Sequence, residues 1–502
     1  MKYWVKSIDM RFRFIVLLGM AMSLGQGHAQ KPKKDRPGDA FDEFRRSVYQ
    51  DFNNFRRQCM EEFIEFVRNP WKEFENEPPV PLPKETPKPP VVMPEEDRDK
   101  PLQDKPIEID TVITPVKPQL QPRPVSPIED TPAPEDLLRI DFTLWGTEAS
   151  VRFAPEGKIS LGGVDNQTVA DALACMVQGG LDATLADCLE LRDKMQLCDW
   201  AYLCLLQKMS EAVYGTGTNE AVLLTACLYM QSGYKMRLGS DGAKLYVLYA
   251  SKHQIFESTA YNIDGVTYYG IDKLPNRLFI CNVSFPKEKE LTLYIDKPLK
   301  LQLAYADSPQ MHRSMAYPDV SVSARINKNL MDFYNAYPVS ICNEDFMTKW
   351  AVYAQTPLND DVRKQVLPSL GASIQGMGEH EAVSRLLNLL QTGFEYEYDD
   401  KVWGHDRAFF AEETLYYPFC DCEDRAILLS RLVRDLLGLR TLLVFYPGHL
   451  AMAVAFNEKV DGDYIVYGGQ RFVVCDPTYI GAPVGATMPG MDNAKATVIL
   501  LD

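Results

Sequence analysis

Three residues in the last quarter of the chain have the types and the order that thiolate chemistry requires. Cys422 precedes a run of apolar residues spaced like one face of an amphipathic helix, and the run stops at Gly438. His449 opens one predicted strand and Asp476 ends another, with successive members of the set 27 positions apart. A histidine can take the proton of a thiol, and a carboxylate can fix the tautomer of that histidine. We therefore predict a Cys422–His449–Asp476 catalytic triad.

The place of Cys422 at a helix start predicts an unusually acidic thiol, because unpaired N–H groups and the helix dipole favour a thiolate there. Cys420 is the rival nucleophile, since both thiols would point to the same side of an extended segment. Cys475 adjoins Asp476 on a strand and should face away from it. The structural alternatives are a buried helical thiol, a satisfied histidine at a strand edge, and an aspartate that forms a turn before proline.

The elements that must position these residues are a helix and four strands. The predicted strands cover 442–446, 449–456, 464–467 and 472–476, with a Pro447-Gly448 turn between the first two. Helices are expected over much of 330–390, and they should pack around the helix that begins at Cys422.

Three motifs in this region resemble those of the transglutaminase-like superfamily, which has a papain-type fold. They are Asp421-Cys422-Glu423-Asp424-Arg425-Ala426, Gly448-His449-Leu450 and Asp476-Pro477-Thr478. The resemblance extends from a helical lead-in near Glu381 to the C-terminal end of the sequence. It implies a thioester mechanism at Cys422, with His449 as base and Asp476 as its orienting partner. It also implies an oxyanion hole made by the backbone N–H of the nucleophile and a donor from the lead-in, for which Trp403 and Tyr417 are candidates.

An internal repeat is expected upstream of this region. Residues 219–225 mirror 424–430, and the strand-like run before His253 mirrors the run before His449. Matched in this way, Gly217 stands where the second half has its nucleophile. Glycine cannot attack a carbonyl, so we predict a degenerate transglutaminase-like domain. The alternative is a chance likeness between two helix-then-sheet units.

Composition narrows the class of protein. The 502 residues correspond to about three domains at ~150 residues each. A net charge of −16 without a basic patch argues against a nucleic-acid partner. The eleven cysteines show no disulfide framework, and their odd number leaves at least one thiol free or bonded between chains. Nothing in the pattern calls for a metal or an organic cofactor. Four cysteines fall on apolar helical faces and are expected in the core: Cys175, Cys188, Cys204 and Cys227.

Three segments precede the globular part. Residues 1–29 have the pattern of an export signal, and their apolar core is too short to span a bilayer. Residues 38–75 carry an aromatic stripe at helical spacing, which should dock on the globular part, on a second copy or on a partner protein rather than on a membrane. Seventeen of the 34 prolines lie in residues 76–135, which predicts a semi-rigid spacer that holds the helix and the globular part apart.

The predicted fold class is therefore α+β, with a papain-like transglutaminase-like domain that is duplicated. Its segments are a signal peptide at 1–29, an amphipathic helix at 38–75, a Pro-rich linker at 76–135, a degenerate domain at 136–275, a β-rich connector at 276–328 and a catalytic domain at 329–502. The expected function is an exported cysteine hydrolase, periplasmic or extracellular, that cleaves peptide or amide bonds of a peptide or protein substrate. A non-catalytic peptide-binding scaffold, a cross-linking acyltransferase and a cell-wall peptide amidase are the alternatives.

Overall fold

The computed structural model describes residues 57–84, 86–98, 100–109, 111–115, 121–122 and 136–501, apart from 286, 306–308 and 343–344, together with positions 47 and 54. The predicted export signal at 1–29 and nearly half of the predicted helix at 38–75 lie outside these residues. Among the helices of the described ranges, none has the combination of length and apolar character that a membrane span needs.

Residues 57–67 are helical and form the described end of the predicted amphipathic helix. Four of their apolar side chains are buried in the main core: Met60, Phe63, Ile64 and Val67. Docking on the chain's own globular part, one of the predicted options, is thus confirmed for this stretch. The helix ends before Pro70, as the aromatic stripe predicts, but residues 72–75 of the predicted 38–75 range form a strand instead of helix.

The proline-rich segment differs from the predicted spacer, because its described parts lie on the globular part. We call residues 71–115 the strap. It contains β1 (Lys72–Glu75), β2 (Val91–Val92), a short helix α1 (Glu95–Arg98), β3 (Lys105–Pro106) and β4 (Thr111–Ile113). Each strand pairs with a strand of the globular part, and edge positions are where a sheet tolerates proline. Pairing with strand edges and burial of apolar residues such as Ile107 hold the strap in place.

The first half of the globular part begins with a hairpin of β5 (Leu138–Leu144) and β6 (Thr147–Phe153). Four helices follow: α2 (Asn166–Gln178), α3 (Asp182–Lys194), α4 (Asp199–Tyr214) and α5 (Asn219–Gln231). The strands after them are β7 (Met236–Ser240), β8 (Leu245–Ala250), β9 (Gln254–Ile255), β10 (Ala260–Ile263), β11 (Val266–Gly270) and β12 (Arg277–Cys281). The first sheet has the order β1-β12-β7-β8-β11-β10.

The predicted β-rich connector at 276–328 is not a separate sandwich. Its first strand, β12, belongs to the first sheet, and among its other described residues only β13 (Met311–Arg313) and β14 (Ser321–Ser323) form a further hairpin. The rest of the described stretch has no strand ladder, although Leu291, Leu293 and Leu299 are buried in the main core. Their alternation therefore reflects burial of an irregular segment, which periodicity alone cannot distinguish from a strand.

The second half is built around one helix and one sheet. Its helices are α6 (Lys328–Asn335), α7 (Thr348–Gln355), α8 (Asp360–Ser373), α9 (Glu379–Thr392), α10 (Asp399–Val402), α11 (Ala411–Tyr416) and α12 (Cys422–Leu437). Its strands are β15 (Ser340–Ile341), β16 (Glu395–Tyr396), β17 (Phe419–Cys420), β18 (Thr441–Tyr446), β19 (His449–Val454), β20 (Asp463–Tyr467), β21 (Gln470–Cys475), β22 (Tyr479–Ile480) and β23 (Thr497–Leu500). As predicted, α7, α8 and α9 contact α12, and α11 does so as well.

The second sheet has the order β3-β20-β21-β19-β18-β23-β4. Strands β18 and β19 are buried along their whole length, because α12 contacts one face and strap residue Ile107 joins the apolar cluster of the other. The described chain is thus a mixed α+β protein.

Without the strap strands, the two sheets have the same strand order after the helix that precedes them: β12-β7-β8-β11-β10 and β23-β18-β19-β21-β20. In this correspondence β7 matches β18, and β8 matches β19. The predicted match of His253 to His449 is therefore wrong by one strand, since His253 follows β8 and His449 begins β19. By register, Leu245 corresponds to His449 and Ile271 to Asp476.

Candidate active site

Cys422 is the first residue of α12, where its side chain meets the start of β19. The α12 N-terminus is fixed by Asp424, whose Oδ2 accepts the Asp421 N–H at 3.1 Å and whose Oδ1 accepts the Phe409 N–H at 2.8 Å. The Cys422 sulfur accepts a hydrogen bond from the Leu450 backbone N–H, the residue after His449. The thiol donates to Glu423 Oε2 at 3.3 Å.

His449 and Asp476 form a buried, hydrogen-bonded pair. The Nε2–H of His449 donates to Asp476 Oδ2 at 2.8 Å, and both residues are 2 % exposed. Asp476 directly follows β21, and its other oxygen accepts the N–H groups of Thr478 at 2.9 Å and Tyr479 at 3.3 Å. One oxygen of Asp476 therefore closes the turn, and the other accepts the hydrogen bond that orients the His449 ring. The turn-forming and orienting roles considered for Asp476 are thus compatible with each other.

A carboxylate that accepts from Nε2 leaves the other ring nitrogen of a neutral histidine as the acceptor. His449 Nδ1 is buried and has no hydrogen-bond partner among the described residues. The Cys422 thiol is turned towards Glu423 and is not hydrogen-bonded to this nitrogen. His449 is thus hydrogen-bonded directly to Asp476. Cys422 is instead hydrogen-bonded to the backbone of Leu450, the residue after His449.

Cys422 and His449 line the same cavity, whose volume is about 340 Å³. Trp350, Tyr398 and Leu450 contribute to its wall, and the strap contributes Thr86 and Pro87. Gly448 permits this approach: it has φ +78°, and a Cβ there would lie 2.4 Å from the Thr86 carbonyl oxygen. The glycine of the Gly-His motif is therefore required both by the two-residue hairpin and by the strap.

The electrostatic surroundings contradict the predicted acidic thiol. Burial raises the pKa of Cys422 well above its usual range, and the negative charges of Glu423 and Asp421 raise it further. These effects outweigh the helix dipole, because the thiol is desolvated and its nearest polar side chains are carboxylates. In this arrangement the sulfur carries its proton.

The same cavity has an unusually acidic lining. Oxygens of Asp399, Asp406 and Glu423 lie within 4.8 Å of one another, as do ligand atoms of Asp421, Cys422 and Glu423. Burial and the charge of Glu423 raise the pKa of Asp399 to about 8, and burial also raises the pKa values of Asp406 and Asp421. These oxygens are close enough to hold a small cation, and Lys349 Nζ provides one positive charge at 2.6 Å from Asp406.

Two buried residues that sequence patterns did not single out hold the loop after Asp476 in place. Gln391 Nε2 donates to the carbonyls of Asp476 at 3.2 Å, Tyr479 at 2.7 Å and Ala482 at 3.1 Å. Arg425 of α12 donates to the Pro477 carbonyl at 3.3 Å and the Phe394 carbonyl at 2.7 Å. Arg425 lies within the quoted motif, whereas Gln391 carries no signal beyond its place in a helical pattern.

The two side chains predicted as oxyanion donors, Trp403 and Tyr417, do not line the cavity. Tyr417 donates its hydroxyl to Asn335 at 3.2 Å, and the indole of Trp403 lies under the guanidinium of Arg407. Trp350 lines the cavity instead, and its buried Nε1–H has no hydrogen-bond partner among the described residues.

The remaining cysteines are all free. Cys420 is buried, its thiol donates to the Glu395 carbonyl at 3.7 Å, and burial raises its pKa to about 11. Neither Cys420 nor Cys475 lines the cavity with Cys422. Of the four cysteines expected in the core, Cys188 and Cys227 are buried and Cys204 is partly exposed, but the prediction is wrong for Cys175, which is exposed.

The first half lacks this constellation. Asn219 begins α5, and its Oδ1 accepts the N–H of Leu245 at the start of β8 at 2.9 Å, which parallels the contact of Cys422 with Leu450. A second Cys–His pair does exist: Cys342 Sγ lies 3.2 Å from His253 Nδ1. Burial lowers the pKa of His253 to about 4, and its Nε2 accepts the Leu293 N–H at 3.2 Å, so this imidazole is neutral and occupied.

Comparisons of this chain with protein-family models, with curated proteins and with solved structures found no match.

Proposed function

We propose that this protein is a cysteine hydrolase of the transglutaminase-like type that cleaves peptide or amide bonds. The observation that carries the proposal is the pairing of His449 Nε2 with Asp476, which leaves Nδ1 as a buried acceptor, unpartnered among the described residues, in a cavity shared with Cys422. A base in this state needs only the thiol as its partner.

In the reaction, the Cys422 thiol turns from Glu423 to His449 and transfers its proton to Nδ1. The thiolate attacks the carbonyl carbon of the substrate, and the carbonyl electrons move to the oxygen. When the tetrahedral intermediate collapses, the C–N bond breaks, and the leaving amine takes the proton from His449. A thioester on Cys422 remains. Water then attacks it with His449 again accepting a proton, and the acid and the thiol are released.

Two groups among the described residues support an oxyanion hole in this proposal. The backbone N–H of Cys422 lies in the first turn of α12, where helical N–H groups lack intrahelical acceptors. The indole N–H of Trp350, which has no partner among the described residues, belongs to a side chain that lines the same cavity. Aimed donors in a dry site stabilise a developing negative charge more than they would in water.

We further propose that the fold is papain-like and duplicated. The two sheets share one strand order, and each follows a helix, α5 or α12. The first side chain of each helix contacts the second strand of its sheet, β8 or β19, and these shared features support a common origin. The first copy would be degenerate, because Asn219, Leu245 and Ile271 take the places of Cys422, His449 and Asp476. The pattern of residues 1–29 supports export to the periplasm or the cell exterior.

A peptide-binding scaffold is the second candidate, and the acidic, buried setting of Cys422 favours it. The two functions differ in what His449 does to the thiol. Iodoacetamide labelling near neutral pH, localised by tandem mass spectrometry, gives separate rates for Cys422 and for the buried thiols Cys420 and Cys475. We expect the rate at Cys422 to depend on His449: His449→Gln should slow it several-fold and leave the rates at Cys420 and Cys475 unchanged. Equal slow labelling of all three, unchanged in His449→Gln, would support the scaffold.

A further inference from the structure

The strap crosses the rim of the active site between the loop of His449 and the loop of Asp476. At one end, the Lys88 N–H donates to the carbonyl of Gly448 at 2.8 Å, and Thr86 and Pro87 line the cavity. At the other end, Val91 and Val92 pair in parallel with Tyr479 and Ile480, three and four positions after Asp476.

Further hydrogen bonds hold the strap against the two loops. Lys88 Nζ donates to the Gly490 carbonyl at 2.8 Å, and the Tyr396 hydroxyl donates to the Lys88 carbonyl at 3.5 Å. The Met93 N–H donates to the Ile480 carbonyl at 2.9 Å. Between these points the strap has no helix: residues 86–90 have no regular secondary structure, and Val91–Val92 form β2 beside the loop that follows Asp476.

An extended peptide binds in a groove by forming backbone hydrogen bonds with the groove's edge. The strap uses the Gly448 carbonyl, next to His449, as such an acceptor. We propose that residues 86–93 occupy the peptide-binding groove of this site as an internal inhibitor, and that the substrate is an extended polypeptide that replaces them. The inference rests on the proposed function for its meaning as inhibition, although the occupancy itself can be measured independently.

The sequence of the occupant suits this role. Pro87, Pro89 and Pro90 preset an extended backbone, so little conformational entropy is lost when the segment lies in a groove. The bonds that precede these prolines are tertiary amides without an N–H group, and the fixed proline ring restricts how they can enter a cleavage geometry. Within residues 86–90 only the Pro87–Lys88 bond is an ordinary secondary amide, and its N–H is already donated to the Gly448 carbonyl.

The strap offers a matched pair of variants for a test in the full chain. Lys88→Pro removes the N–H that donates to Gly448 and places a ring against that carbonyl. Lys105→Pro makes the same change where the Lys105 N–H donates to the Gly462 carbonyl at 3.2 Å, away from the cavity lining. Both lysines already precede a proline, so the local restriction is alike.

We expect iodoacetamide to label Cys422 about three- to tenfold faster in Lys88→Pro, the change that the loss of one hydrogen bond gives to an opening equilibrium. Lys105→Pro should label like the unchanged chain. A synthetic peptide of residues 83–93 should slow the labelling of Lys88→Pro, and a peptide of residues 100–109 should not. Unchanged labelling of a folded Lys88→Pro chain overturns the proposal.

If Lys88→Pro does not fold, Lys88→Met serves instead, because it removes only the bond from Nζ to Gly490. It should accelerate labelling of Cys422 in the same direction, and no acceleration overturns the proposal. His449→Gln in the faster-labelling background separates the two claims. Fast labelling that does not depend on His449 keeps the strap as an occupant and refutes the catalytic function.

Discussion

His449 Nε2 lies 2.8 Å from Asp476 Oδ2, while the other oxygen of Asp476 holds the turn at Thr478 and Tyr479. The turn therefore aims the carboxylate, and the carboxylate selects the tautomer of the histidine. Its Nδ1 is left as the acceptor in the cavity that Cys422 lines. The proposed proton transfer from Cys422 depends on this tautomer, and several measurable consequences follow from it.

Asp476→Asn should abolish most activity without unfolding the protein. Asparagine can still accept the Thr478 N–H with its oxygen, but its NH₂ group faces Nε2 and favours the wrong tautomer of His449. Because the same replacement in serine triads acts through the same tautomer error, peptide hydrolysis should fall on the order of 10²- to 10⁴-fold. Asp492→Asn changes an aspartate that caps a turn at Ala494 and pairs with Lys495 at 3.5 Å, and it should leave the rate unchanged. Full activity in Asp476→Asn would contradict the assigned role.

Glu423→Gln should make Cys422 more reactive. The Glu423 carboxylate lies 3.3 Å from the sulfur and raises the thiol pKa, so its removal increases the thiolate fraction near neutral pH. The curve of alkylation rate against pH should move to lower pH, with a several-fold faster reaction at about pH 7. Asp400→Asn, in the same cavity wall, serves as the control. A slower reaction in Glu423→Gln would instead make Glu423 the base.

Asp399→Asn should change how stability depends on pH. The folded chain keeps a proton on Asp399 up to about pH 8, whereas the unfolded chain releases it near the ordinary value of 3.8. Stability therefore falls as pH rises through this window, by at most about 1.4 kcal/mol per pH unit for one group. Thermal melts should show that the Tm of Asp399→Asn rises relative to that of the unchanged chain as pH increases from 3.8 to about 8. Equal slopes for the two proteins would show that Asp399 is not the group responsible, and exposed Asp400→Asn should follow the unchanged chain.

Gln391→Leu should destabilise the protein by about 2–4 kcal/mol, because three carbonyls and a backbone N–H lose their partner together. Urea unfolding of the full chain measures this loss. Gln365→Leu is the comparison: it removes an amide that also bridges backbone groups, at Arg325, on the half-buried surface of α8. It should cost less than about 1 kcal/mol. Similar losses in the two variants would argue against Gln391 as the clamp of the Asp476 loop.

Local sequence patterns predict the parts of the site that depend on nearby residues. The start of α12 at Cys422, the hairpin at Pro447-Gly448 and the strand that ends before Asp476 follow from helix periodicity, turn residues and apolar runs. Residues close in sequence determine each of these elements, so sequence periodicity is enough to locate them.

The features that sequence patterns miss depend on residues far apart in the chain. Strap strand β2 pairs with β22, near the other end of the chain, and proline content gives no sign of such a partner. The pKa of Cys422 moves opposite to the prediction because burial and adjacent carboxylates, rather than the helix dipole, dominate its surroundings. The predicted alignment of the repeat is one strand out, because it paired the apolar runs that precede His253 and His449 and so matched β8, rather than β7, to β18.

The most direct test of the catalytic assignment is to trap the acyl-enzyme. The Lys88→Pro chain is incubated with a mixture of synthetic peptide amides, quenched in acid and mapped by tandem mass spectrometry. We expect an acyl group on the sulfur of Cys422 that hydroxylamine removes and that is absent in Cys422→Ala and greatly reduced in His449→Gln. Acylation of Cys420 in place of Cys422, or hydrolysis that persists in Cys422→Ala, would contradict the assignment.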